Sequence, residues 1–128
     1  RRNQLPISFL LFDLNKFKAI NDAYGHHEGD FVLITFARIM LETFRECDVI
    51  GRLGGDEFVA VLTGSELSQA QNLLNRFAAT IEDINKTMNK PYRIEYSVGL
   101  ELFEHDADLS VEAMIQVADA AMYKNKHA

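Results

Sequence analysis

A glycine turn that carries two acids constrains the fold of this chain most. Gly54-Gly55 is followed by Asp56 and Glu57, and the turn separates two apolar segments, residues 49–53 and 58–62. Apolar segments of this length on either side of a short glycine turn predict a β-hairpin. Glycines can adopt positive φ, and they let a ligand approach the backbone closely. Because an ordinary hairpin needs no paired acids, the turn predicts a functional site at the rim of a sheet.

The composition indicates one acidic domain. The chain has 128 residues, of which 48% are hydrophobic, and this is enough to bury a single core. Cys47 is the only cysteine, so no intrachain disulfide can form, and we expect a cytoplasmic location. The longest apolar stretches are far shorter than the ~20 residues of a membrane helix. We therefore expect no membrane contact by this segment, even if its parent protein is membrane-anchored.

The net charge of −6, without a lysine or arginine block, argues against nucleic acid as a partner. It does not exclude a nucleotide. Carboxylates that first capture a divalent cation reverse the local charge that a polyphosphate meets.

Hydrophobic periodicity predicts the element order βααββαβα. A continuous apolar run over residues 7–14 is typical of a strand covered on both faces, with Asp13 near its carboxyl end. Helices are predicted over residues 16–24, over about 28–46 and over a long stretch after Gly64-Ser65. A fourth helix is predicted over 110–126, with Ser110 as its N-cap. Residues 94–102 alternate as in a strand that has one wetter face. This order predicts an α+β sandwich related to ferredoxin-like folds, in which helices flank a central sheet containing antiparallel strands.

Asp13 and Asp56 are predicted to share a metal ion, because adjacent strands would bring them together. Mg²⁺ and Mn²⁺ prefer hard oxygen ligands of this kind, and the Leu14 carbonyl is a candidate third ligand. The alternative is that Asp13 merely ends a strand and Asp56 merely occupies a turn. The neighbouring Glu57 favours a site.

Lys16 and Lys18 follow Asp13 where a helix begins, so backbone amides and an ammonium group could receive phosphates there. The alternative is that both lysines are solvated surface residues. The sequence has neither a Walker A nor a G-x-G-x-x-G loop. An EF-hand is excluded because Phe17, Lys18 and Tyr24 stand where that loop needs an oxygen ligand, glycine and glutamate.

Amide and carboxylate groups cluster at the predicted junction of the first two helices: Asn21-Asp22, Gly25-His26 and Gly29-Asp30. These groups suit a purine edge, and guanine fits best because a carboxylate can accept its N1–H and N2 amino protons. The alternative is capping, with Gly25 ending the first helix and Asp30 starting the second. Both roles can coexist.

In order and spacing, these residues resemble the GGDEF family of diguanylate cyclases over nearly the whole chain. The matching motifs are Asp13-Leu14-Asn15-Lys16-Phe17-Lys18-Ala19-Ile20-Asn21-Asp22, Gly25-His26, Gly29-Asp30 and Gly54-Gly55-Asp56-Glu57-Phe58. The resemblance implies that the sandwich is of the nucleotide-cyclase kind. It also implies that two such domains each bind GTP and together make cyclic di-GMP.

The resemblance also implies residue roles. Asp13, the Leu14 carbonyl, Asp56 and Glu57 would hold Mg²⁺ or Mn²⁺, and Asp56 and Glu57 would be the catalytic acids, with the base unassigned between them. The implied substrate contacts are guanine with Asn21 and Asp30, the nucleotide with His26, and phosphates with Lys18 and Lys126.

Arg45 and Asp48 lie three residues apart, with five residues between Asp48 and Gly54, and they resemble the family's inhibitory product site. Arg76 on the following helix would complete it. The alternative is a surface ion pair at a helix end.

We expect residues 1–128 to form a single GGDEF domain trimmed at both ends from a larger multidomain protein, so that the fragment itself has low activity. Two other functions remain possible for such a domain. One is an inactive GGDEF module that binds GTP or cyclic di-GMP and regulates an attached domain, for example a phosphodiesterase. The other is a purely structural dimerisation domain.

Overall fold

The structure is a computed structural model that describes residues 6–44, 49–63, 67–104 and 108–126. Its elements are β1 (Ile7–Asn15), α1 (Phe17–Tyr24), α2 (His26–Thr43), β2 (Val49–Arg52), β3 (Glu57–Thr63), α3 (Leu67–Thr87), β4 (Glu95–Phe103) and α4 (Val111–Lys126). The predicted order βααββαβα and the α+β class are confirmed.

The four described strands form one sheet in the order β2-β3-β1-β4, and each neighbouring pair is antiparallel. The predicted hairpin is β2 and β3. β1 lies between β3 and β4, so the carboxyl end of β1 meets the amino ends of both neighbours. This end of the sheet carries Asp13 and is called the acid end below.

β1 is covered on both faces, as its continuous apolar run predicts. Leu10 and Phe12 pack with residues of α2 and α3 in the larger core cluster. Phe12 lies 6.0 Å from Phe36 of α2 and 5.2 Å from Phe77 of α3, measured between ring centroids. Phe9 and Leu11 point to the other face, where they pack with residues of α4.

α3 buries the apolar stripe that its sequence predicts. Phe77 and Ile81 are buried, and four partly buried residues, Leu73, Leu74, Ile84 and Met88, pack beside them. α3 has 21 residues, but its remaining faces are polar. In the ranges that the structure describes, no helix combines the length and the apolar character needed to cross a membrane.

β4 is covered on both faces, which corrects the prediction of a wetter face. Gly99 is buried because α4 lies directly against it. A Cβ atom added to Gly99 would stand 2.4 Å from the Ala118 carbonyl oxygen and 3.0 Å from the Met122 backbone nitrogen. The missing side chain at residue 99 therefore allows the helix backbone to approach the sheet.

The helix boundaries agree with the sequence except at α2. Ser110 caps α4 as predicted, because its Oγ accepts a hydrogen bond of 3.1 Å from the Ala113 amide. α2 begins at His26 rather than near residue 28, so Asp30 lies inside the helix and does not cap it. Gly25, with a φ of 95°, ends α1 and precedes α2 directly. Such a φ strains any other residue, so the two helices need no longer linker.

Candidate functional site

The acid end of the sheet brings the two predicted acidic segments together. Asp13 on β1 is paired with Glu57 on β3, and the Leu14 amide donates a 2.9 Å hydrogen bond to the Asp56 carbonyl. Directly opposed residues of an antiparallel pair project to the same face. Asp13 and Glu57 therefore share the α4 face of the sheet, and Asp56 stands beside them at the end of the turn.

The glycine turn is held by Arg52, which the sequence analysis did not single out. Its Nε donates to the Gly54 carbonyl at 2.9 Å, and its Nη2 donates to the Gly55 carbonyl at 2.8 Å. The Leu53 amide closes the hairpin with a 2.8 Å bond to the Glu57 carbonyl. An arginine two residues before the first glycine of the turn was the available signal, because its planar fork can reach two carbonyls at once.

The turn does not use the positive φ that glycine allows. Gly25 is the one glycine with positive φ in the part of the chain that the structure describes. Gly54 and Gly55 instead leave open space. An added Cβ would meet nothing within 4 Å at Gly55 and only Glu57 Oε1, at 3.7 Å, at Gly54. Of the two predicted roles for these glycines, close approach to a ligand is the one that this geometry allows.

The start of α1 bears the predicted phosphate-binding lysines. Lys16 has a left-handed backbone with a φ of 61°, and its Nζ lies 3.6 Å from Glu95 Oε1. Lys18 is exposed and pairs with Asp22 at 2.9 Å. The hydrogen bond to Asp22, followed by its negative charge, raises the pKa of Lys18. The Lys18 ammonium group therefore keeps its positive charge and is accessible from solvent.

Asn21 packs tightly against the first turn of α2. A Cβ atom on Gly29 would lie 1.8 Å from Asn21 Oδ1, so only glycine leaves room for this amide. His26 and Asp30, one helical turn apart on α2, are both exposed. The predicted guanine contacts, Asn21 and Asp30, thus lie on α1 and α2 at one junction.

Glu28 ties this junction to the loop between α3 and β4. Tyr92 Oη donates to Glu28 Oε1 at 2.6 Å, and Lys90 Nζ lies 3.0 Å from the same oxygen. The Tyr92 hydrogen bond and then the Lys90 hydrogen bond lower the pKa of Glu28, whereas burial and the Glu28 charge raise that of Tyr92. Sequence reasoning missed this cluster, because nothing local links residues so far apart.

Two other groups of predicted residues are less fully described. Arg45 and Asp48 lie outside the described residues. Arg76 is exposed on α3, where its carbonyl accepts a 3.0 Å hydrogen bond from Thr80 Oγ1. Lys126 is the last residue of α4, and only its backbone is described. It lies one helical turn beyond Met122, about 6 Å further along the helix axis.

The oxygen-rich acid end suits a hard divalent cation if other ligands contribute. Asp13, Asp56 and Glu57 supply carboxylate oxygens, and Leu14 supplies a backbone carbonyl, which are the donors that Mg²⁺ and Mn²⁺ accept. Among the described residues, no three or more His, Cys, Asp or Glu side chains are grouped so that they could hold a metal ion alone. A cation here would therefore need backbone and phosphate oxygens as well, which is usual for Mg²⁺ bound with a nucleotide.

The fold and this acidic hairpin define a nucleotide-cyclase-like domain, and comparison with known proteins identifies its family. The family model described as "Diguanylate cyclase, GGDEF domain" matches residues 1–128. The chain therefore belongs to the GGDEF family.

Particular relatives agree with this assignment. The chain is 40% identical to the bifunctional diguanylate cyclase/cyclic di-GMP phosphodiesterase MucR of Pseudomonas aeruginosa, over 98% of this chain and 18% of MucR. It is 32% identical to diguanylate cyclase DosC of Escherichia coli K12, over 95% of this chain and 26% of DosC. The chain thus spans less than a third of the length of either relative.

A solved structure supports the fold assignment. The diguanylate cyclase SiaD of Pseudomonas aeruginosa, crystallised with its activator SiaC, superposes on this chain with a TM-score of 0.84. The two sequences are 31% identical, and the match covers 99% of this chain and 48% of SiaD.

Proposed function

We propose that this chain is the catalytic domain of a diguanylate cyclase, which condenses two GTP molecules into cyclic di-GMP and releases two pyrophosphates. The observation that carries the proposal is the register of β1 and β3, with Asp13 opposite Glu57 and the Leu14 amide bonded to Asp56. Membership of the GGDEF family and a relative named as a diguanylate cyclase support it.

The acid end would hold the divalent cations of the reaction. Asp13, the Leu14 carbonyl, Asp56 and Glu57 are the proposed ligands of two Mg²⁺ or Mn²⁺ ions. When bound, such cations neutralise triphosphate charge and make a nearby hydroxyl easier to deprotonate. Without them, three carboxylates on a domain of net charge −6 would repel GTP.

The helix junction recognises the nucleotide. Asn21 donates its amide protons to guanine O6, and the Asp30 carboxylate accepts from N1–H and the N2 amino group. His26 lies beside the nucleotide. Lys18 and Lys126 bind phosphates, and Lys18 can exchange Asp22 for a phosphate because an exposed ion pair contributes little stability.

The reaction needs two domains, since each holds one GTP. The 3′-oxygen of each GTP forms a bond to the α-phosphorus of the other, the bond from that phosphorus to the bridging oxygen of pyrophosphate breaks, and the hydroxyl proton passes to a base. Asp56 and Glu57 are the candidate catalytic carboxylates. A transient antiparallel homodimer aligns the two nucleotides, and positioning of this kind supplies much of the rate.

Arg45 and Asp48, together with Arg76, form the proposed inhibitory product site. Arginine can bind guanine or phosphate edges through two parallel hydrogen bonds. Cyclic di-GMP bound there holds two domains apart from the productive pairing and so lowers the rate at high product concentration.

The test is to incubate the chain, and its full-length parent, with GTP and Mg²⁺ and to measure cyclic di-GMP and pyrophosphate. We expect two pyrophosphates per cyclic di-GMP and a rate that rises more steeply than linearly with protein concentration. Asp56→Ala should abolish product. GTP binding without product, in both the chain and the parent, would instead assign the inactive regulatory module.

Arg45→Ala tests the product site separately. It should preserve synthesis but weaken inhibition by added cyclic di-GMP. Arg38→Ala is the matched control, because Arg38 is an exposed arginine that pairs with Glu42 on its own helix at 3.4 Å. If Arg45→Ala leaves inhibition unchanged, residue 45 does not belong to such a site.

A further inference from the structure

We infer that Glu28 and Tyr92 are positioning residues for the guanine pocket. They hold the α1–α2 junction against the loop of residues 88–94, which precedes β4. The inference rests on the proposed function, because it assumes that Asn21 and Asp30 bind guanine. It adds that guanine selectivity depends on the contact between Glu28 and Tyr92, two residues that do not themselves touch the base.

In the contact between Glu28 and the loop, two donors reach the Glu28 carboxylate, and the pair is partly shielded from water. Glu28 Oε1 accepts from Tyr92 Oη at 2.6 Å, and the Lys90 ammonium lies 3.0 Å from the same oxygen. The side chains of Lys90 and Glu28 are only 28% and 29% exposed, so water screens this pair less than an ordinary surface pair. Lys90 also stands 4.6 Å from the centre of the Phe31 ring. These contacts give Glu28 a partner in the loop, and they leave Asp30 as the exposed acid of the same helix turn.

A second contact fixes the other side of the junction to the same loop. The Tyr24 ring, at the end of α1, lies 5.3 Å from the Tyr92 ring, and the Tyr24 hydroxyl donates to the Pro91 carbonyl at 3.3 Å. The loop therefore contacts both the last residue of α1 and the first turn of α2. This restrains the angle between the two helices.

Two backbone hydrogen bonds connect these contacts to Asn21. The Gly25 amide donates to the Asn21 carbonyl at 2.9 Å, and the Glu28 amide donates to the Gly25 carbonyl at 3.1 Å. The Asn21 side chain lies against Gly29, the residue after Glu28. A shift of Glu28 relative to α1 would therefore change where the Asn21 amide and the Asp30 carboxylate stand with respect to each other.

The loop can act as a support because it is anchored on its far side. Asn85 of α3 both donates to the Ile94 carbonyl at 3.0 Å and accepts from the Ile94 amide at 2.7 Å. Arg93 pairs with Glu82 of α3 at 2.7 Å. Tyr92 thus lies on a loop that is fixed to α3, and the hydrogen bond from its hydroxyl to Glu28 restrains α2 relative to that loop.

The experiment compares two nucleotides that cannot release pyrophosphate, the α,β-methylene analogues of GTP and ATP, by calorimetry with Mg²⁺. Tyr92→Phe removes the hydroxyl but keeps the ring against Tyr24. We expect it to weaken binding of the GTP analogue about twofold to tenfold, which corresponds to the typical net contribution of one hydrogen bond. Binding of the ATP analogue should hardly change, so the selectivity ratio falls.

Two further variants separate positioning from general loosening. Glu42→Gln is the matched control, because it weakens an exposed ion pair with Arg38 at the far end of α2, away from the junction and the loop, and it should leave both affinities unchanged. Glu28→Ala removes the acceptor from the other side and should lower the ratio as Tyr92→Phe does.

Equal weakening of both analogues, or an unchanged ratio in Tyr92→Phe and Glu28→Ala, overturns the positioning role and leaves the proposed function standing. A wild-type chain that binds the two analogues equally overturns the proposed guanine site itself. The two failures are therefore distinguishable.

Discussion

Gly99→Ala is expected to destabilise the chain by pushing α4 away from the sheet. The added Cβ would stand 2.4 Å from the Ala118 carbonyl oxygen, 3.0 Å from the Met122 nitrogen and 3.1 Å from Met122 Cβ. Two of these three atoms belong to helix backbone, so no side-chain rotation can relieve the crowding. The helix must retreat by about 1 Å to restore ordinary contact distances.

Such a retreat loosens the smaller core cluster, in which Ala118 and Met122 pack against Phe9, Leu11 and Phe103. Overpacking in a well-packed core costs about 1–3 kcal/mol. For a domain of this size, each kcal/mol lowers Tm by roughly 3–6 °C. We therefore expect Gly99→Ala to lower Tm by roughly 3–18 °C.

Gly51→Ala is the matched control, since it makes the same change in the strand β2. Its Cβ would lie 3.7 Å from Val59 Cγ1, an ordinary contact. Both substitutions reduce the freedom of the unfolded chain equally, so the difference between them reports native-state crowding alone. The assay is urea and thermal unfolding followed by circular dichroism, because the chain has no tryptophan. Equal stability of the two variants would refute the close seating of α4 on Gly99.

Three smaller changes test other contacts. Ser8→Ala should leave stability unchanged or raise it by up to about 1 kcal/mol in urea unfolding, because the buried Ser8 hydroxyl has no hydrogen-bond partner among the described residues; a loss above that size would mean that the hydroxyl is bonded. Gly29→Ala should raise helix stability by up to about 1 kcal/mol yet weaken binding of a GTP analogue, because the new Cβ displaces the Asn21 amide; unchanged binding would contradict this. Tyr92 and Lys90 lower the pKa of Glu28 below its ordinary 4.5, so the unfolded chain takes up this proton first and stability should fall as the pH drops below about 4.5. Glu28→Gln should remove that part of the acid sensitivity, and an unaltered pH profile of unfolding would argue against the contact.

The order of elements was predictable because periodicity is a local property. The continuous apolar run of β1 indicates a strand buried on both faces, and the apolar stripe of α3 indicates which face of that helix is buried. The start of α2 was not predictable to the residue, because it depends on the unusual φ of Gly25. The wetter face assigned to β4 was wrong because the sequence does not reveal that Gly99 is the place where α4 docks.

The candidate site was partly predictable for a similar reason. Asp13, Asp56 and Glu57 could be joined once two adjacent strands were assumed, and the register of β1 and β3 bears out that adjacency. Arg52 acts on carbonyls rather than on side chains, so no pairing pattern marks it. The bond between Glu28 and Tyr92 depends on how the loop before β4 folds back, which periodicity does not encode.

The most direct test of the central claim asks whether the acid end binds GTP through a divalent cation. Binding of α,β-methylene GTP is measured with Mg²⁺ and again with a chelator, in the wild type, in Asp13→Asn, and in Glu101→Gln as a control acid farther along the sheet on β4. We predict that the wild type and Glu101→Gln bind only with Mg²⁺ and that Asp13→Asn weakens this binding at least about tenfold, since losing even a group that only supports a metal ligand costs about 10–100-fold in metal affinity. Equal binding in the presence of the chelator, or full affinity in Asp13→Asn, would contradict the account.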